Sequence, residues 1–237
     1  MKEALLELEE IHTYYGDSHV IQGISLKVFP GEVVCLLGRN GAGKTTTLRT
    51  IVGLTPPRKG RIMFMGRVIS GLPTHEIVRW GIGFVPEDRR IFPKLTVKEN
   101  LELAALHSRK RAHRQWTVER IMEEFPLLKG LSDRKGGKLS GGEQQLLAIA
   151  RSLVLNPKIL LLDEPCEGLA PIIVEQLREL ILRLKGEVTM LIAEQNARFA
   201  VMVSDRGYII EKGRIAYEGT SAELAADEAV KEKYLAV

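Results

Sequence analysis

The segment GRNGAGKTT, Gly38 to Thr46, places glycines at its first, fourth and sixth positions and follows them with a lysine and two threonines. It fits G-x-x-x-x-G-K-[ST], a loop whose backbone N–H groups cradle phosphate oxygens. In that arrangement Gly38, Arg39, Asn40, Gly41, Ala42, Gly43, Lys44, Thr45 and Thr46 form the phosphate site. Lys44 reaches the β and γ phosphates and the Thr45 hydroxyl holds Mg²⁺. A glycine-rich turn without a ligand is the bland alternative. The apolar run VVCLL before the loop and the helix-forming run after it argue against that alternative. A second stretch, ILLLDE, carries Asp163 to the end of an apolar run, where its carboxylate can enter the Mg²⁺ shell. Glu164 follows at once, placed to orient or deprotonate an attacking water. A third stretch, LSGGEQQ at Leu139–Gln145, sets Ser140, Gly141 and Gly142 before another helical run. Glycines beside a helix start again make a phosphate cradle. One chain therefore carries two.

Elements of known type must position these groups. The first third reads as strands: ALLELEEIHTYY alternates, ISLKVFPGEVVCLLG holds two strands around the Pro30-Gly31 turn, and GRIMFMGRVI reads as a hairpin. A helix begins inside GAGKTTTLRTIVGL and stops near Gly53, and GIGFVPE is a short buried strand. Beyond Pro93 the chain turns helical. TVKENLELAALH opens on a capping box, Thr96 with Glu99, and RQWTVERIMEEF is a second amphipathic helix. SGGEQQLLAIARSLV is a third, capped by Ser140 with Glu143. KILLLDEP does not alternate, as in a strand buried on both faces of a parallel sheet. IIVEQLRELILRLK is a helix, VTMLIAE a strand, ARFAVMVSD a helix and RGYIIEKGRIAYEG a closing hairpin. The expectation is an α/β core, residues 1–88 and 158–237, split by a helical insert at 89–157.

Composition bounds the rest. The chain has 237 residues, 45% of them hydrophobic and only 5% aromatic. That suffices for one core, or one core with an inserted lobe. The net charge of +4 is compatible with an anionic ligand or membrane surface but selects neither. Two cysteines, Cys35 and Cys166, are too few for a disulfide framework and lack metal spacing. The N-terminus carries acids and does not look like a signal peptide, and no apolar run approaches a membrane span. The expectation is a cytosolic chain that reaches a membrane through partners.

The order GRNGAGKTT, then LSGGEQQ, then LLLDEP resembles the ATP-binding cassette (ABC) ATPases over nearly the whole chain. The resemblance implies ATP with Mg²⁺ as cofactors, and a P-loop NTPase (RecA-like) core with an antiparallel β subdomain and an inserted α-helical subdomain. It also accounts for the second cradle. In the family, Ser140, Gly141 and Gly142 would close over the γ phosphate of ATP bound to a second ATPase chain. Tyr15 in TYYG matches the aromatic that stacks on adenine, with Tyr14 as the alternative. Glu87 stands where most members have a glutamine that contacts Mg²⁺ or couples to the membrane subunit. Gln195 stands where most have a histidine at the γ phosphate. Ala170 replaces an aspartate at the dimer interface. Lys44, Glu164 and Gln195 are the catalytic candidates, and Thr45, Asp163 and Glu87 the metal candidates.

VPEDRRIFPKLTVKENL, EPCEGLAPIIVEQL and LIAEQNARFAV together resemble the second ATPase of branched-chain amino acid importers. That resemblance implies a heterodimer of ATPases, or a homodimer in isolation, beneath transmembrane permease subunits. An extracytoplasmic binding protein would act indirectly, and the location would be the cytoplasmic face of the cell membrane. The region Glu87–Phe92, with an exposed Ile91-Phe92 pair, is the expected coupling surface. The alternatives are an importer ATPase for urea or another small amide, a soluble ABC ATPase acting on ribosomes or DNA, and a nucleotide sensor with decayed sites. One cassette without a long heptad run speaks against the ribosome or DNA reading, so no nucleic-acid partner is expected.

Overall fold

The structure is a computed structural model and describes residues 3–108 and 115–226. In chain order, β1 (Leu6–Tyr15) and β2 (Ser18–Val28) form a hairpin, and the Pro30-Gly31 turn leads into β3 (Val33–Leu37). The candidate phosphate loop follows, then α1 (Lys44–Ile51), β4 (Lys59–Phe64), β5 (Arg67–Val68), α2 (Thr74–Trp80) and β6 (Ile82–Val85). Helices α3 (Val97–His107), α4 (Val118–Glu124), α5 (Pro126–Gly130) and α6 (Gly141–Val154) come next. The chain continues through β7 (Ile159–Asp163), α7 (Pro171–Leu184), β8 (Thr189–Glu194), α8 (Ala197–Val203), β9 (Arg206–Glu211), β10 (Arg214–Thr220) and α9 (Ser221–Ala226).

Two sheets result. β2-β1-β4-β5 is antiparallel throughout. The larger sheet runs β10-β9-β3-β8-β7-β6, parallel except for the β10–β9 edge. Its central strands β3, β8 and β7 are buried at every position because both faces are covered. Along β3, Val33, Cys35 and Leu37 enter a core shared with α6, α7 and α8, while Val34 and Leu36 enter a second core beneath the antiparallel sheet and α1. All five are at most 1% exposed, and each buried Val or Leu contributes roughly 1.5–3 kcal/mol before entropy is charged against it. β3 is thereby a rigid base for the loop that leaves it.

The expected mixed α/β fold is the observed one, with four local differences. Helix α2 is additional to the expected elements. So is α9, which closes the described chain. The expected single helix RQWTVERIMEEF starts at Val118 behind the Thr117 cap and breaks at Phe125, where Pro126 opens α5; its expected start at Arg114 lies outside the described residues. β2 begins at Ser18, six residues before the expected ISLKVF. Both expected capping boxes are present, Thr96 with Glu99 and Ser140 with Glu143.

Candidate functional site

The loop Gly38–Gly43 is shaped by what a side chain would strike. A Cβ on Gly38 would lie 2.5 Å from the Ile210 carbonyl oxygen. Gly43 caps α1 at φ 115°, a region that favours glycine. The loop is tied from outside: the Gly38 N–H donates to the Glu194 carbonyl at 3.3 Å, and the Gly213 N–H to the Ala42 carbonyl at 2.9 Å. Its inner face opens on a cleft of about 480 Å³ lined by Tyr15, Asn40, Lys44, Thr45, Glu87 and Glu164 among others. The start of α1 points free N–H groups and a positive dipole end toward this cleft, the usual setting for a phosphate.

Lys44 is 4% exposed. Its Nζ donates to the carbonyls of Gly38 at 2.6 Å and Arg39 at 3.2 Å and pairs with Glu164 Oε1 at 2.8 Å. Glu164 holds φ 46°, a left-handed backbone that few non-glycine residues adopt and that clusters at functional sites. Its N–H donates to the Ala193 carbonyl at 2.9 Å, and its Oε2 accepts the Gln195 N–H at 3.1 Å. Those bonds hold the unusual turn in place.

The Thr45 hydroxyl donates to Asp163 Oδ1 at 2.9 Å. Burial pushes the Asp163 carboxyl up to about 6; the Thr45 bond opposes the rise, and the neighbouring charges of Glu164 and Glu87 add to it. Several negative groups thus converge beside one hydroxyl. Oxygen donors in this arrangement fit Mg²⁺, which takes one or two carboxylates and completes its shell from phosphates and water. No group of three or more Asp, Glu, His or Cys that could hold an ion on its own exists among the described residues.

The two tyrosines separate cleanly. Tyr14 stacks on His19 at 4.1 Å and lies under the Arg58 guanidinium at 4.5 Å, so its faces are taken. Tyr15 is 44% exposed and borders the cleft. Glu87 and Gln195 are both exposed. Glu87 lines the cleft, and Gln195 sits at the end of β8 with its backbone on Glu164. Ser140, Gly141 and Gly142 begin α6 and are not among the residues lining the cleft. A Cβ on Gly142 would meet Ile173 of α7 at 2.7 Å, and one on Gly141 would meet the Arg89 guanidinium at 3.0 Å.

A groove of about 750 Å³ lies beside the cleft, lined by Leu54, Pro86, Arg89, Phe92, Leu103 and Arg151 among others. Of the expected exposed pair, Phe92 is 43% exposed on this groove, while Ile91 is partly buried against the core. Both thiols are buried, Cys35 with its pKa pushed up to about 12 by burial and Cys166 raised further by the same cause.

One residue escaped sequence reasoning. Glu194 ends β8, is 1% exposed and takes two backbone N–H bonds through its carboxylate. Burial holds its carboxyl above the ordinary range, although the Asn196 N–H and Cys166 oppose this. In sequence it is an acid at a strand end, and nothing marks it as buried.

Residues 21–167 match the family described as ABC transporter. The chain is 43% identical over 232 residues to the high-affinity branched-chain amino acid transport ATP-binding protein BraG of Pseudomonas aeruginosa, covering 98% of this chain and 99% of that one. It is 40% identical to the lipopolysaccharide export system ATP-binding protein LptB of Escherichia coli, covering 98% and 97%. A solved ATP-binding cassette of an ABC transporter in its ADP conformation superposes with a TM-score of 0.81 at 30% identity, covering all of both chains. With the loop, the acids and the fold in agreement, the chain belongs to the ABC transporter family as an ATP-hydrolysing cassette.

Proposed function

We propose that this chain powers an importer of branched-chain amino acids. The observation that carries this reading is the near full-length likeness to BraG, reinforced by a 34% identity over 226 residues to the probable branched-chain amino acid transport ATP-binding protein LivF of Archaeoglobus fulgidus. The unit is one cassette, with residues 89–157 as the helical subdomain between the two parts of the core. ATP lies on the loop Gly38–Thr46 with its adenine on Tyr15. Lys44 meets the outer phosphates, and Mg²⁺ is held by Thr45 and Asp163, with Glu87 at its edge. Glu164 takes the proton of the attacking water, and Gln195 contacts the γ phosphate or that water. Ser140, Gly141 and Gly142 serve the nucleotide of a second ATPase chain.

The second chain is a different ATPase in the complex. Permease subunits rest in the groove bordered by Arg89 and Phe92, at the cytoplasmic face of the membrane, and an extracytoplasmic protein delivers cargo. No helix among the described residues is long and apolar enough to cross a membrane. Glu164→Gln keeps the shape and an acceptor for Lys44 but cannot accept a proton. ATP binding persists and hydrolysis falls by about 10²–10⁴-fold.

The likeness to LptB supports a second reading, lipopolysaccharide export. The deciding experiment removes the chain from its own cell and follows uptake of labelled leucine, isoleucine and valine. Uptake is lost, and is restored by the wild type but not by Glu164→Gln. Normal uptake with failed lipopolysaccharide export would overturn the first reading in favour of the second.

A further inference from the structure

The reading above uses Glu164 and Gln195 but gives no task to Glu194, the buried acid between their loops. A carboxylate in that position carries a desolvation cost unless its oxygens are satisfied. Oε1 accepts the N–H of Cys166, two residues beyond Glu164, at 3.0 Å. Oε2 accepts the N–H of Asn196, one residue beyond Gln195, at 3.1 Å. The Glu194 carbonyl accepts the N–H of Gly38 at 3.3 Å, at the entry to the phosphate loop. One residue therefore bonds to the loop after Glu164, to the turn after Gln195 and to the entry of the Gly38–Gly43 loop.

The elements around it do not need this arrangement. Helix α8 already has a side-chain cap, because Asn196 Oδ1 accepts the Phe199 N–H at 3.0 Å. The β7–β8 ladder already reaches Asp163, opposite Ala193. What the carboxylate holds is loop to loop. Glu164 meanwhile keeps a left-handed backbone, which persists only where its surroundings over-determine it. A charge-assisted bond to the N–H two residues downstream supplies such a constraint.

We propose that Glu194 is a positioning residue for ATP hydrolysis, its carboxylate clipping the loop that carries Glu164 to the loop that carries Gln195. This rests on Glu164 acting as the base. A clip of this kind leaves nucleotide binding alone, because the cradle, Lys44 and Tyr15 make their own contacts. It acts on the turnover step, where a displacement of the base by about 1 Å can cost 10²-fold.

The test is a comparison of full-length wild type, Glu164→Gln, Glu194→Gln and Glu194→Asp. Each is measured for ATP affinity with a fluorescent ATP analogue, for kcat and KM of MgATP hydrolysis, and for thermal midpoint. Glu194→Gln keeps the shape but turns an NH₂ toward one of two N–H donors. Glu194→Asp keeps both acceptors and draws them back by one methylene. The expected result is affinity within about twofold of wild type and kcat lower by about 10- to 100-fold in Glu194→Gln, with a smaller fall in Glu194→Asp. Wild-type kcat in Glu194→Gln overturns the proposal. So does a loss of affinity that parallels the loss of kcat, since that marks a residue needed only for the fold. If Glu194→Gln yields no folded chain, Glu194→Asp decides on the same criteria. An undiminished rate in Glu164→Gln would instead remove the base assignment beneath the proposal, and the proposal with it.

Discussion

Lys44, Asp163 and Glu164 are each at most 9% exposed, so this cleft concentrates charge where water cannot screen it. Asp163 shows the cost. Its folded pKa of about 6 lies above the ordinary 3.8, because burial disfavours the charged form. The folded chain therefore binds this proton more tightly than the unfolded chain. The penalty is absent below the unfolded value, grows between the two and is complete above about 6, where it is on the order of 2–3 kcal/mol. Asp163→Asn keeps an acceptor for the Thr45 hydroxyl and removes the charge. Without nucleotide and magnesium it raises the thermal midpoint at about pH 7.5, and the gain shrinks toward about pH 4. An equal or lower midpoint at the higher pH contradicts that account. That Lys44, Thr45, Asp163 and Glu164 come together was legible in sequence, because loop spacing and strand-end acids are constraints of chemistry. Glu194 was not, since its role comes from burial between two loops that the chain brings together only on folding.

The elements that carry the site were legible for a different reason. β3, β7 and β8 are apolar at nearly every position, and α3 and α6 open on capping boxes, so pattern and cap agree with the fold. Helix α2 has seven residues and is preceded by Pro73 with no side-chain cap, so no start signal announced it. The break at Phe125-Pro126 was readable, since proline favours a helix's first turn and disturbs its interior. At this scale the start of α6 gives a paired prediction. Gly142→Ala drives a methyl into the β-branched Ile173 on α7, with no flexible end to yield, and destabilises the chain by about 1–3 kcal/mol. Gly141→Ala meets only the end of the Arg89 guanidinium, which can swing away, and leaves stability nearly unchanged. Urea unfolding of both variants checks the order; equal losses refute the packing argument.

For the molecule as a whole, the separation of Ser140–Gly142 from the chain's own cleft makes a prediction about assembly. Ser140 is exposed at the head of α6 and does not line the chain's own cleft. Ser140→Arg therefore leaves ATP affinity of the isolated chain unchanged. In a Glu164→Gln background, where hydrolysis is slowed, ATP is expected to shift the chain to a dimer on size-exclusion chromatography, and Ser140→Arg to abolish that shift. Loss of affinity in the isolated chain would place the cradle in its own site and sink the two-chain arrangement.

The strand order has a consequence for how the chain is made. β3 lies between β8 and β9, yet roughly 150 residues separate it from the nearer of them. At about 5–20 residues per second a ribosome needs about 8–30 s to supply that partner. Until then VVCLL lacks both of its sheet partners, whereas ILLLD, made later, already has β6 to pair with. One short apolar segment of high strand preference stays without its sheet partners during synthesis, which is when such segments pair with the wrong chain. The candidate phosphate loop is encoded early and assembled late, so a chain truncated before Thr189 carries the whole motif but none of the strands that flank β3 in the finished sheet.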